Sequence, residues 1–224
     1  MRSTVRFDET LARGYEDWYA AAGRRADALE KSHFGDLLGA FPEANTLLDA
    51  GCGTGHFTRW FASRGLRPTG LDLSPAMLAQ AVRRGGGSYL RADAASLPFA
   101  DGEFDLVTLV TTLEFVPEPA RVLTEAVRVS RRGLILGVLN RWSFLALRRR
   151  LRGGKVWRQS HFFSTRELER LLREAAGDRL QEIRTRTALF PRGLECAARF
   201  LPLGGIIVAG VELCEVERAG EAGS

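Results

Sequence analysis

The chain is predicted to fold as an α/β domain on a doubly wound, seven-stranded, mostly parallel sheet with an N-terminal helical cap. Three observations lead there. Seven strand-like segments, the first ending at Leu47-Leu48, are mostly separated by stretches of helical periodicity. A glycine-studded turn, Gly51-Cys52-Gly53-Thr54-Gly55, joins the first strand to a helix start at His56. An acid stands at the tip of each of the first three strands: Asp49, Asp72 and Asp93.

Before the first strand, Phe7, Leu11, Tyr15, Trp18 and Tyr19 recur at helical spacing, and Leu29, Phe34, Leu37 and Leu38 mark a second helix ahead of Pro42. Neither helix can be a crossover, so the pair is expected to pack as a flap over residues 43–214. Leu66–Asp72 is the second strand, and Ser74-Pro75 starts the next helix as N-cap and first helical residue. Ser88–Asp93 is the third strand. Phe104–Val110 is almost continuously apolar, as a buried parallel strand should be. A helix opened by Pro117 and Pro119, a strand Gly133–Leu139 and a helix begun by the capping box Ser164 to Glu167 follow, that helix stopping at Gly177. Leu180–Thr187 and the more apolar Ile206–Val211 are expected to pair antiparallel, with Phe190–Leu203 roofing a pocket. Residues 215–224 read as a disordered tail.

The glycine turn fits neither common phosphate cradle. His56 occupies the place of the third glycine of a dinucleotide fingerprint, and no Gly-Lys-Ser/Thr follows. Asp49, two residues before Gly51, would repel a pyrophosphate but suits a cationic amino group. The corner therefore favours a nucleoside carrying positive charge. An acid at Asp72 is placed to accept ribose hydroxyls. Thr111, Thr112 and Glu114 sit at the carboxyl end of the fourth strand, where ligands bind in such sheets.

LLDAGCGTG resembles motif I of the class I S-adenosylmethionine-dependent methyltransferases, and GLDLSPAML and LPFADGEFDLV resemble the segments that follow it. The resemblance is close from Leu47 to Leu139 and looser on the flanks. It implies the strand order 3-2-1-4-5-7-6 of the Rossmann-like methyltransferase fold and S-adenosylmethionine as cofactor. Asp49 with Gly51, Gly53 and Gly55 would then position the methionine end, and Asp72 the ribose. Asp93 and Ala94 would read the adenine, Leu73 and Met77 would pack the adenosine, and Thr111 would border the cofactor. Tyr15 and Tyr19 resemble the aromatic residues of an N-terminal helix that closes over the methionine end, although aromatics simply packing that helix onto the sheet explain them equally. Glu114 is the catalytic candidate, to receive a proton from the nucleophile or orient it; a purely structural role near a helix start stays open. The segment resembles the Leu-Glu-His of ubiquinone-type O-methyltransferases, but Phe115 replaces the histidine and Thr111 an expected acid, which argues against a metal and a catechol.

Arg141, Arg148, Arg149, Arg150, Arg152, Lys155 and Arg158 follow one another without an acid, interleaved with Trp142, Phe144, Leu145, Leu147 and Trp157. Within the insertion 140–163 they admit four readings: a grip on an acidic small substrate, peripheral contact with an anionic membrane, a nucleic-acid track, or a solvated amphipathic helix. Nucleic acid ranks last, since no reading module is visible. His161 is more often structural in such a position, and His33 and His56 carry weaker signals still.

A chain of 224 residues with 26% charged residues and net charge +5 suits one soluble domain. Met1–Glu9 lacks the apolar stretch of a signal peptide, and Phe200–Val211 is too short to span a bilayer. Cys52, Cys196 and Cys214 lack metal-ligand spacing and read as reduced cytoplasmic thiols. The expectation is a methyltransferase acting on a small acceptor, acidic or apolar, by in-line displacement. A non-catalytic S-adenosylmethionine-binding regulator and a nucleic-acid methyltransferase remain as alternatives.

Overall fold

A computed structural model of the chain describes residues 8–21, 23–152, 157, 160–189 and 203–216, the side chains of 150–152 excepted. Phe7, Lys155, Arg158, Cys196, most of the expected roof at 190–203 and the tail from 217 onward lie outside the described residues, as does the Met1–Glu9 reading up to residue 7. Seven strands form one sheet: β1 (Thr46–Ala50), β2 (Arg67–Asp72), β3 (Ser88–Arg91), β4 (Phe104–Val110), β5 (Ser130–Leu139), β6 (Leu180–Ala188) and β7 (Ile206–Leu213). Their order is β3-β2-β1-β4-β5-β7-β6. All neighbours run parallel except β7, which pairs antiparallel with both β5 and β6. The strand order runs outward in opposite senses from β1 and from β4, and that switch opens the crevice in which ligands bind in such sheets.

Helices α1 (Glu9–Ala20) and α2 (Arg24–Leu38) precede the sheet, and α3 (His56–Ser63), α4 (Pro75–Arg84) and α5 (Pro119–Val129) cross it. Beyond β5 come α6 (Phe144–Arg152) and α7 (Thr165–Ala176). The caps follow side-chain chemistry. Ser74 accepts the Met77 N–H ahead of Pro75, and Ser164 accepts the Glu167 N–H. The capping box is only half made, because the Glu167 carboxylate turns to Arg141 and His161 instead. No helix among the described residues is long and apolar enough to cross a membrane.

Strand alternation divides the core. Leu134, Leu136 and Val138 join the face covered by α5 and α7, with Leu123, Leu168 and Leu172. Ile135 and Leu139 join the opposite face, with Phe34, Phe57 and Phe61. This second face shows that α2 is more than a flap. Its Phe34 is fully buried, and its ring lies where a Cβ on Gly137 would sit, 2.7 Å away. Leu37 stands in the same relation to Gly210, at 2.9 Å. Two strand glycines thus make the shallow seat on which α2 rests. The amphipathic α1, whose Trp18 is half exposed, packs on α2 and α4 rather than on the sheet.

Expected and observed boundaries differ by two or more residues at β3 and β5, and β7 also runs on from Val211 to Leu213. β3 ends at Arg91, leaving Asp93 beyond the pairing, and β5 starts at Ser130, three residues before Gly133. There the Ser130 hydroxyl bonds the Gly133 carbonyl and amide, carrying the chain across an irregular register.

If α2 belongs to the core, Phe34→Ala should lower the unfolding free energy by about 3–5 kcal/mol in urea denaturation. A loss below about 1 kcal/mol would make α2 a detachable flap.

Candidate functional site

The end of β2 shapes the turn after β1. The Leu71 carbonyl accepts the N–H groups of both Gly51 (2.7 Å) and Cys52 (2.9 Å). Asp72 then holds two loops: Oδ2 accepts the Gly53 N–H and Oδ1 the Ser74 N–H, each at 2.8 Å. Gly51 has φ +80°, and a Cβ there would collide with the Thr112 side chain, whose hydroxyl donates to the Ala50 carbonyl at 3.1 Å. Gly53 differs: its φ is +56°, yet a Cβ would meet nothing within 4 Å. That open space is the floor of a cavity of about 770 Å³.

Every member of the expected cofactor-side set except Gly55 lines this cavity. Gly55 is the N-cap of α3 in the left-handed region, and a Cβ on it would lie 2.5 Å from the Tyr89 hydroxyl. It is a glycine for packing and conformation rather than for contact with the cavity. Thr111 takes φ +52°, unusual for a β-branched residue, while its N–H bonds the Gly137 carbonyl at 2.7 Å. Cys52, Ser74, Arg91 and Phe115 also line the cavity, although the sequence reading assigned none of them to the ligand.

The acids occupy distinct settings. Asp49 is 2% exposed, and the hydroxyls of Thr58 (2.6 Å) and Thr108 (3.1 Å) donate to it. Burial outweighs these bonds and pushes its carboxyl up to about 6. Burial also raises Asp72 above the ordinary carboxylate value, against three backbone N–H groups that favour its charge. Asp93 is exposed beyond β3, with Oδ1 accepting the Ala95 N–H at 2.9 Å. Across the lining stand four carboxylates (Asp8, Asp49, Asp72, Asp93), one guanidinium, Arg91, and the imidazole of His56.

Glu114 does not line the cavity. It is 2% exposed, its Oε1 accepts the Leu139 N–H, and its Oε2 is buried without a partner. Burial holds its carboxyl up at about 7. His161 lies on a separate open depression of about 410 Å³ beside Glu118 and Glu167, with Nε2 2.7 Å from Glu167. The basic stretch breaks up. Arg141 pairs with Glu167 at 2.7 Å, and Arg149 turns inward to stack 3.8 Å over the Trp157 ring. Arg148 stays exposed near Trp142, Phe144 and Leu147. No group of three or more His, Cys, Asp or Glu side chains suited to a metal ion occurs among the described residues.

His56, assigned no role from sequence, ties the cap to the cavity. Its Nε2 lies 2.7 Å from Asp27 of α2 and 3.0 Å from Lys31, and its Nδ1 lies 3.7 Å from Glu16 of α1. Tyr19 stacks on the ring with centroids 3.9 Å apart. Glu16 also accepts from the Thr54 hydroxyl and Arg59, both at 2.6 Å, so the glycine turn, α1, α2 and α3 share one network. The only early signal was His56 in a glycine's place; its partners are distant in sequence.

A methyltransferase domain family matches residues 48–137. A solved structure from Thermotoga maritima, an S-adenosylmethionine-dependent methyltransferase described as a possible histamine N-methyltransferase, superposes with TM-score 0.74 at 30% identity, covering 91% of this chain and 96% of that one. An uncharacterized protein of Methanocaldococcus jannaschii is 31% identical over 172 residues, 75% of this chain and 78% of that protein. An uncharacterized methyltransferase of a Mycobacterium species is 43% identical over 93 residues, which span 41% of this chain and 37% of that relative.

The His56 network sets a pH prediction. Burial works against the charged ring, but hydrogen bonds to Asp27 and Glu16 raise its pKa above the ordinary value. A raised value means stabilisation fully present below about pH 6.5 and lost as pH climbs through the folded value. Glu16 is held down to about 2 despite burial, by bonds to His56, Thr54 and Arg59, so its contribution disappears only in strong acid. Asp49, Glu114 and Glu30 are all raised and also lower stability as pH rises, so a difference measurement is needed. Wild type should exceed His56→Gln in stability by a margin that shrinks from about pH 6 to 9. A constant margin in urea denaturation would remove His56 from the network.

Proposed function

The chain belongs to the S-adenosylmethionine-dependent methyltransferase family, and from that membership we propose that it transfers a methyl group from S-adenosylmethionine to a small-molecule acceptor by in-line displacement. The observation that carries the donor assignment is the cavity's charge, four carboxylates against one guanidinium and the His56 imidazole. Such a lining repels a polyphosphate and attracts a nucleoside bearing ammonium and sulfonium groups.

The residues present fit that donor. Open space over Gly53 admits a ligand against the main chain. The Asp72 oxygens accept backbone N–H groups and keep lone-pair capacity for the ribose hydroxyls. Asp93 and the Ala94 backbone would read the adenine edge, with Met77 and Leu73 against the adenosine. Asp49 would answer the ammonium through its charge. When bound, S-adenosylmethionine supplies a methyl group made electrophilic by the neighbouring sulfonium. The protein's part is alignment and exclusion of water. Tyr15 and Tyr19 do this from α1, held by the His56 network.

A small acceptor is favoured over nucleic acid because two arginines of the basic stretch face inward, one in an ion pair and one stacked on a ring. The name of the Thermotoga relative points to an amine.

Incubation with a methyl-labelled donor and a panel of amines, phenols, thiols and carboxylic acids tests the reaction. Donor binding without label transfer to any of them would favour a regulatory protein. Asp72→Ala should weaken donor binding by about 1–3 kcal/mol; unchanged calorimetry would exclude Asp72 from the site.

A further inference from the structure

His56 opens α3 on the wall of the cavity, and two helices of the cap meet its ring. Tyr19 of α1, also on the wall, stacks on it with centroids 3.9 Å apart and planes 10° from parallel. Nδ1 lies 3.7 Å from Oε2 of Glu16, on the same helix. Nε2 lies 2.7 Å from Oδ1 of Asp27 and 3.0 Å from Nζ of Lys31, both on α2. Lys31 also donates to Oδ2 of Asp27 at 2.8 Å.

These partners do not suit both protonation states of the ring equally. Neutral, with its proton on Nδ1, the ring accepts from Lys31 at Nε2 and offers Asp27 nothing. Charged, it donates to Asp27 at Nε2 and turns a positive edge to Glu16. An aromatic face also attracts a cation more than it attracts a neutral ring. The contacts to Tyr19 and Glu16 of α1 therefore both strengthen with the charge, and the contact to Lys31 weakens.

Resting on the methyltransferase reading above, we propose that His56 is a proton-dependent positioning residue for the donor. Its charged form seats α1, and with it Tyr19, against the methionine end of the cavity. Its neutral form holds α1 less firmly, although Glu16 keeps Thr54 and Arg59 in either state, so the cap loosens rather than leaves. A donor-site ligand meets a complete wall in the seated state. Its binding therefore draws a proton from solvent onto Nε2 of those molecules that lack one.

The groups facing the ring set the sign. From α1 they are Glu16 and Tyr19, with Tyr15 edge-on to Tyr19; from α2 they are Asp27, Lys31 and Glu30. Arg59 of α3 and Arg84 of α4 reach it through Glu16, at 2.6 and 3.9 Å. Burial opposes the charged ring, but the bonds to Asp27 and Glu16 raise its pKa above the ordinary value. Both acids stay ionised across the neutral range, held below their ordinary values despite burial. Ligand affinity is thus highest while the ring is charged and falls as pH climbs through the raised value. Glu30, which burial pushes up to about 8, titrates in the same range and has to be told apart.

The test is calorimetry with S-adenosylhomocysteine, which lacks the sulfonium charge and so limits direct repulsion by the ring. Wild-type affinity should fall at least about fivefold from about pH 6.5 to 8.5. The heat should differ between phosphate and Tris buffers as proton uptake requires. His56→Gln should lose both the fall and the uptake, binding throughout about as weakly as wild type at the alkaline end, whereas Glu30→Gln should keep the fall. Should His56→Gln fail to fold in a thermal melt, Asp27→Asn should move the fall to lower pH, because the ring loses its acceptor. A flat wild-type profile, or an equal fall in His56→Gln, would overturn the proposal. So would affinity that rises with pH through His56, which would make the ring a repulsive charge in the lining. Absence of S-adenosylhomocysteine binding to wild type at every pH would bring down the methyltransferase reading, and this proposal with it.

Discussion

Negative charge held in place without cations is the constraint that organises this molecule. Asp49, Asp72 and Asp93 stand at or just beyond the carboxyl ends of β1, β2 and β3, and none has an ion-pair partner within 4.0 Å among the described residues. They are kept by dipoles instead: threonine hydroxyls on Asp49, backbone N–H groups on Asp72 and Asp93. Neutral donors stabilise a carboxylate without cancelling its field. The crevice therefore presents charge to a ligand rather than spending it internally. The same bonds fix the glycine turn, since the Asp72 carboxylate holds Gly53 by one oxygen and Ser74, the N-cap of α4, by the other.

The cap is built on a different logic. α2 is bolted to the sheet by Phe34 and Leu37 seated over strand glycines, whereas α1 adds to the packing of Tyr19 a set of polar contacts through Glu16 to Thr54, Arg59 and His56. Apolar packing gives α2 a role in stability, and the ionic network makes the seat of α1 sensitive to protonation. Because His56 directly follows Gly55, the turn and the docking of the cap meet at one residue.

Legibility in the sequence followed locality. The strands, their tip acids and the Ser74 and Ser164 caps are set by residues within a few positions of one another, and each was readable from spacing. The three glycines looked alike, but only the structure separates Gly53, which faces open space, from Gly55, which makes room for Tyr89 more than thirty residues away. The arginine run stayed open to four readings because nothing local in the sequence shows where Glu167 and Trp157 lie relative to it. Glu114 could be found by its place after β4, but its burial and lone Oε2 depend on Leu139, and Glu30 had no local mark at all. Long-range partners are decided by how α2 and α6 pack, which neither periodicity nor motif encodes.

The charge argument is tested most directly by titrating the purified, ligand-free protein calorimetrically with S-adenosylmethionine and, in parallel, with ATP and NAD. Saturable binding of the sulfonium compound with no heat from either phosphate ligand is the result this account predicts. Binding of ATP or NAD in the crevice, with the sulfonium compound ignored, would contradict it.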